Sequence, residues 1–232
     1  MKNNKLVARW LIYVAGMSVQ GLGLYLNARC GLGTSALLGV AYVLGLYWGV
    51  SFGDATKIIF AIYIAAQFVV RGWKKKQWRD LLQLPVAIFV GEVFNLLDKV
   101  IPVEMLQSGW AMRIFVLLCA VTFNGIGATL AVNMRLMPSP GDGIVQALAD
   151  RTGMEMGKMK RIADCTLVVC AAVLSFALFG RLEGVGIGTA SHAIGTTRAL
   201  EMGPVEGAMS SLSIVVSGVI TVVLAGIFAN FL

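Results

Sequence analysis

The sequence predicts an all-α polytopic membrane protein: an inverted-topology internal repeat with a short re-entrant helix in each half, followed by an extra C-terminal transmembrane helix. Three observations carry this expectation. The 232 residues are 58% hydrophobic and 13% charged, with a mean hydropathy of +0.81, whereas soluble domains carry about 25% charged residues. The chain also writes one pattern twice. Gly21, Gly23, Leu26, Leu32, Ser35, Gly39, Leu44, Gly49, Gly53 and Ile58 recur, without a gap, 104 residues later as Gly125, Gly127, Leu130, Leu136, Ser139, Gly143, Leu148, Gly153, Gly157 and Ile162. Finally, the basic residues stand in short clusters between apolar runs, the arrangement that fixes orientation in a membrane.

Taken in order, the elements form one membrane domain over 1–232, with repeat one over about 8–104, repeat two over about 112–208 and the extra helix over 209–232. Lys2, Lys5 and Arg9 precede the first apolar run, Trp10 to Leu26, long enough to span about 30 Å of hydrocarbon. Its length and its repeated glycines favour a retained helix over a cleaved signal peptide. Thr34 to Gly49 is a shorter apolar segment. Ala55 to Val70 spans and leads into Arg71-Gly72-Trp73-Lys74-Lys75-Lys76-Gln77-Trp78-Arg79, the densest positive cluster. Leu81 to Leu97 spans and holds Pro85, Gly91, Glu92 and Asn95; a polar link, Asp98 to Gly109, follows. In the second half Met112 to Val132 spans, Ser139 to Thr152 is short and polar, Ile162 to Gly180 spans, and Val185 to Leu200 is Gly-rich and weakly apolar. Met209 to Leu232 has no partner copy.

Charge decides the topology. If the two short segments crossed fully, the clusters at Lys74–Arg79 and Lys158–Arg161 would fall on opposite sides, against the positive-inside rule. If each enters and returns on one side, each half has three crossings and the halves are inverted. With the N-terminus cytoplasmic, Lys2, Lys5, Arg9, the 74–79 cluster, Arg135, Arg151, Lys158–Arg161 and Arg198 then share the cytoplasmic side. The expected chain crosses the membrane several times.

Inverted repeats with broken helices are the membrane design for solute passage. Thr34 and Ser35, and Ser139 after Pro138, suit helix starts. Two half-helix N-termini facing the midplane would offer N–H groups and dipoles to an anionic or strongly polar group. Asp142 near one of them is a capping acid, a proton-coupling group or a ligand for a cation. Gln20 and Asn124 are equivalent amides, each before Gly-x-Gly, serving either as helix-to-helix glue or as a symmetric pair lining the path. Glu92 lies mid-segment among apolar neighbours, and ionisable groups at that depth are functional candidates. Its repeat equivalent is Thr196, near His192, whose ordinary pKa lies near neutrality. Asp164 stands three residues from Arg161, the spacing of an ion pair.

Other classes are disfavoured. No phosphate-binding loop of the Gly-x-x-x-x-Gly-Lys-Ser/Thr kind appears, the four cysteines lack metal spacing, and one histidine with no serine placed beside it offers no catalytic constellation, so no enzyme, cofactor or metal is expected. The positive net charge of +7 fits orientation rather than nucleic-acid binding. Expected partners are the lipid bilayer, a small-molecule solute, and a second copy or another membrane subunit.

Gly21-Leu22-Gly23, Leu32-Gly33-Thr34-Ser35, Gly49-x-x-x-Gly53 and Val185-Gly186-Ile187-Gly188-Thr189 resemble the YczE/YitT-type family of bacterial inner-membrane proteins. That family usually continues Thr-Ser with Pro-Trp-Asp. Here Ala36-Leu37-Leu38 departs from the pattern, while Ser139-Pro140-Gly141-Asp142 stays closer. The resemblance implies a bacterial multi-pass membrane protein and names no substrate. The expected function is a permease or channel for a small polar or anionic solute, with its site between the two short helices; the alternative is a non-transporting membrane subunit, for substrate capture or as a scaffold.

Overall fold

The structure, a computed structural model, describes residues 2–72, 78–134 and 136–184. The expectations for the Lys74–Lys76 cluster, Arg135, the segment 185–200 with His192, Thr196 and Arg198, and the helix 209–232 lie outside those residues. Among the described residues the chain forms eight α-helices and no strand. These are α1 (Lys2–Arg29), α2 (Ala36–Trp48), α3 (Phe52–Arg71), α4 (Gln83–Val100), α5 (Val103–Leu106), α6 (Trp110–Asn133), α7 (Pro140–Thr152) and α8 (Met156–Phe179), with a 3-10 turn at Trp78–Leu82 before α4. Five segments, Leu6–Arg29, Phe52–Arg71, Asp80–Val100, Trp110–Asn133 and Met156–Phe179, are long and apolar enough to cross a membrane. The architecture is that of a polytopic membrane protein.

The two short helices have 13 residues each, roughly 20 Å at 1.5 Å per residue, short of the roughly 30 Å of a hydrocarbon core. Their ends follow from local chemistry. Ser35 and Ser139 hold extended backbone at the N-caps, and Pro140 takes the first turn of α7, where a missing N–H costs nothing. Gly49 (φ 65) and Gly153 (φ 70) close the C-termini in the left-handed region, their N–H groups returning to the carbonyls of Gly45 and Ala149. A side chain there would be strained.

The 104-residue register carries into three dimensions. Arg29 and Asn133 end α1 and α6; Ala36 and Pro140 open the short helices; Trp48 and Thr152 close them; Phe52 and Met156 open α3 and α8. The contacts recur as well. A Cβ built on Gly23 would stand 2.6 Å from the Ala120 carbonyl oxygen and 2.9 Å from the Asn124 Cα, and one on Gly127 would stand 2.6 Å from both the Gly16 carbonyl oxygen and the Gln20 Cα. Each pair is the other moved by 104 residues. Gly16 faces Ala131 and Gly127 while Gly23 faces Asn124 and Ala120, so α1 and α6 run antiparallel, backbone against backbone. Small residues let the helices approach this closely, and in lipid such dispersion contacts, rather than hydrophobic burial, hold helices together.

Around this seam α2 and α3 each pack on a helix of the second half. On α2, Gly39 meets Ala171 and Tyr47 meets Phe179, so α2 runs parallel to α8. On α3, Gln67 meets Pro140 and Gly143 and Arg71 meets Asp150, so α3 runs parallel to α7. Helix α4 runs antiparallel to α3, with Gly53 against Gly91 and Asn95, and parallel to α1, with Gly21 against Val93 and Tyr25 bonded to Asp98. Phe52 and Phe94 stack at 5.0 Å between them.

Two segments depart from the sequence reading. The polar link 98–109 is partly ordered as α5, whose Leu106 is buried, and Asp98 receives both the Tyr25 hydroxyl (2.8 Å) and the Arg29 guanidinium (2.7 Å). Glu92 is not sealed among apolar neighbours: its side chain is 60% exposed and pairs with Lys57 at 2.5 Å. The cause is register, because Lys57 on α3 lies against Gly91 of α4 and brings its ammonium across the pair.

Candidate functional site

The first turns of α2 and α7 meet. The Leu37 side chain lies against Gly141, where a Cβ would collide with it, and position 141 is position 37 moved by 104. The flanking contacts come in the matching pair already described, Gly39 with Ala171 and Gly143 with Gln67. Two helix N-termini, each carrying N–H groups without intrahelical acceptors and the positive end of a dipole, therefore converge.

The α7 side of the meeting point is polar. The Ser139 hydroxyl accepts the Asp142 N–H at 3.2 Å and donates to the Asp142 carboxylate at 2.9 Å. Lys160, reaching over from α8, pairs with that carboxylate at 2.8 Å, and Asp164, buried one turn further along α8, adds a second acid within its field. Beneath Gly143 the amides of Gln67 and Gln83 exchange two hydrogen bonds of 3.0 and 3.1 Å, and Gln67 also donates to the Pro140 carbonyl at 3.2 Å. The α2 side is drier. Thr34 and Ser35 are buried, the Thr34 N–H donates to Gly184 at 2.9 Å, and its hydroxyl donates to the Ser35 carbonyl at 3.2 Å. Tyr63 donates to the Leu37 carbonyl at 3.3 Å.

The sequence-selected residues thus divide into three places. Thr34, Ser35, Ser139 and Asp142 mark the two helix starts that converge at Leu37 and Gly141. Gln20 and Asn124 lie half-buried on the α1–α6 seam, where their backbones are the surfaces on which Gly127 and Gly23 rest. Glu92 belongs to a chain of groups joining α3 and α4, in which Lys57 bridges Glu92 and Asp54 (2.6 Å), and Asn95 bonds both Asp54 (3.2 Å) and Ser51 (2.7 Å). His192 and Thr196 fall outside the described residues.

Lys160, Gln67 and Gln83 are the functional candidates that sequence reasoning passed over. In the sequence Lys160 stands inside the basic cluster 158–161. An i,i+2 alternation there, with Lys160 on the buried face and Lys158 exposed, would have separated it. Gln67 called for the argument applied to Gln20, since an amide inside a span needs a partner. Among the described residues no cluster of three or more His, Cys, Asp or Glu side chains could hold a metal ion.

Comparison with known proteins adds a family and a short local likeness. Residues 7–203 match the family described as DUF6198, a family of unknown function. The chain is 46% identical over 50 residues to the antiholin-like protein LrgB of Bacillus mycoides (strain KBAB4), Bacillus cereus (strain B4264) and Bacillus anthracis (strain CDC 684 / NRRL 3495). That stretch is 22% of this chain and 22% of each relative, so the chain matches about a fifth of the length of those proteins. No solved structure matches it. With the match running over 7–203, most of its length, this polytopic membrane protein belongs to the DUF6198 family.

Proposed function

We propose that the chain is a permease or channel for a small polar or anionic solute, with its site between the starts of α2 and α7. In this reading the two halves are inverted repeats and α2 and α7 are re-entrant half-helices, each returning to the side it came from. The observation that carries it is the contact of Leu37 with Gly141, one position of the repeat meeting its own equivalent. Self-equivalent contacts belong on a two-fold axis. Helices α1 and α6, equivalent yet antiparallel, set that axis across the helices rather than along them. Converging half-helix termini on such an axis are the arrangement by which transporters hold a solute at the midplane.

Charge supports the orientation, with the N-terminus cytoplasmic in a bacterial inner membrane. Arg71 and Arg151 lie together where α3 and α7 end, Arg151 donating to the Val70 carbonyl at 3.4 Å, and α8 with Lys158 begins beside them. At the opposite ends, Arg29 and Lys57 are each matched by acids.

Flux into liposomes holding only this chain tests the proposal: a panel of small polar and anionic solutes should include one that enters, and Asp142→Asn should slow that entry. No flux across the panel, with another membrane protein copurifying, would favour the second reading, a non-transporting membrane subunit.

A further inference from the structure

The two short helices start with the same backbone and finish their starts differently. Ser35 (φ −64, ψ 150) and Ser139 (φ −62, ψ 155) are superimposable as N-caps. The Ser139 hydroxyl is engaged twice by Asp142, and Asp142 is held by Lys160. The Ser35 hydroxyl, on a residue only 5% exposed, has no hydrogen-bond partner and makes no cap bond. The equivalents of Asp142 and Lys160 in the first copy are Leu38 and Thr56, and the Thr56 hydroxyl is committed to the Phe52 carbonyl at 2.8 Å.

A buried hydroxyl left unpaired costs about 1–3 kcal/mol, and native structures rarely keep such a group without a reason. It stands at the start of a 13-residue helix whose Leu38 and Gly39 N–H groups return to the Ser35 carbonyl at 3.1 and 2.9 Å, while the Ala36 and Leu37 N–H groups have no intrahelical acceptor and the dipole is positive there. In the second copy the chain supplies its own carboxylate to the corresponding place. In the first copy an apolar Leu38 leaves the Ser35 hydroxyl and the N–H groups of Ala36 and Leu37 for something brought from outside.

We propose that the start of α2, with the Ser35 hydroxyl, seats a compact monovalent anion where the second copy seats its own Asp142 carboxylate. The dipole end offers about half a positive charge and the hydroxyl one neutral donor, which suits a monoanion rather than a dianion. A dianion would need a cation as well, and Lys160 is already paired. This deepens the site proposed above and rests on that reading for transport, though not for binding.

The test is a thermal melt of the full-length protein in detergent with sodium nitrate, sodium formate and sodium sulfate at matched ionic strength. Nitrate or formate raises the Tm saturably and sulfate does not. Ser35→Ala weakens the apparent Kd about tenfold or more. Leu38→Asp, which builds in the missing carboxylate, abolishes the shift, while Ser139→Ala keeps it. No saturable shift with nitrate or formate in the unmodified chain overturns the proposal. So does an equal shift in the unmodified chain and Ser35→Ala, which decides the matter even if Leu38→Asp fails to fold. An anion-dependent shift without any liposome flux removes the permease reading and leaves this site standing; flux without the shift does the reverse.

Discussion

A methyl group at Gly127 would collide with the Gln20 backbone, and one at Gly23 with the Asn124 amide. Neither neighbour is the flexible end of a side chain, so the two helices would have to separate. Gly127→Ala and Gly23→Ala should each destabilise the protein by about 1–3 kcal/mol, read as a lowered midpoint in a thermal melt. Gly109→Ala, where the backbone is extended and nothing lies within 4 Å, should leave the midpoint unchanged. The amide pair tests a different kind of cost. Gln67→Leu strands the buried Gln83 amide and should cost about 1–3 kcal/mol, whereas Gln67→Leu with Gln83→Leu should recover most of it, because both partners are then removed. If the double variant is as unstable as the sum of the singles, the amides act independently.

At the scale of elements, the decisive pair is α2 with α7. Each has 13 residues, each is bounded by a serine and a left-handed glycine, and each packs on a long helix of the other half of the chain. In a cysteine-free background, Leu37→Cys with Gly141→Cys should form a disulfide on mild oxidation, since a Cβ on Gly141 lies 2.8 Å from the Leu37 Cγ and so one bond further from the Leu37 Cβ, in reach of the Cβ separation of about 3.5–4.5 Å that disulfides need. The crosslink is read as two fragments held together after cleavage between α4 and α6. Failure to crosslink, with Leu37→Cys and Trp110→Cys as the unreactive control, would separate the two helix starts and remove the basis for a shared site.

For the whole molecule, the inverted arrangement proposed above makes a prediction about sidedness. Single cysteines replacing Lys75 and Lys158 should be labelled by an impermeant reagent from one side of the membrane, and one replacing the exposed Val50 from the other; labelling of Lys75 and Lys158 positions from opposite sides would eliminate the inverted arrangement. The sequence alone determined the membrane class, the 104-residue register, the shortness of the two helices and their serine and glycine ends, because composition, glycine placement and capping are local properties. Glu92 and Lys160 show where that stops. Both are charges near apolar runs, and nothing local says that Glu92 finds Lys57 in the open α3–α4 groove while Lys160 turns inward to Asp142. Those partners lie 35 and 18 residues away in the chain, and only the crossing of whole helices sets which charge meets which. The same holds for Leu37 and Gly141: the 104-residue register pairs them in the sequence, and the packing of α2 on α8 and of α7 on α3 decided that they touch.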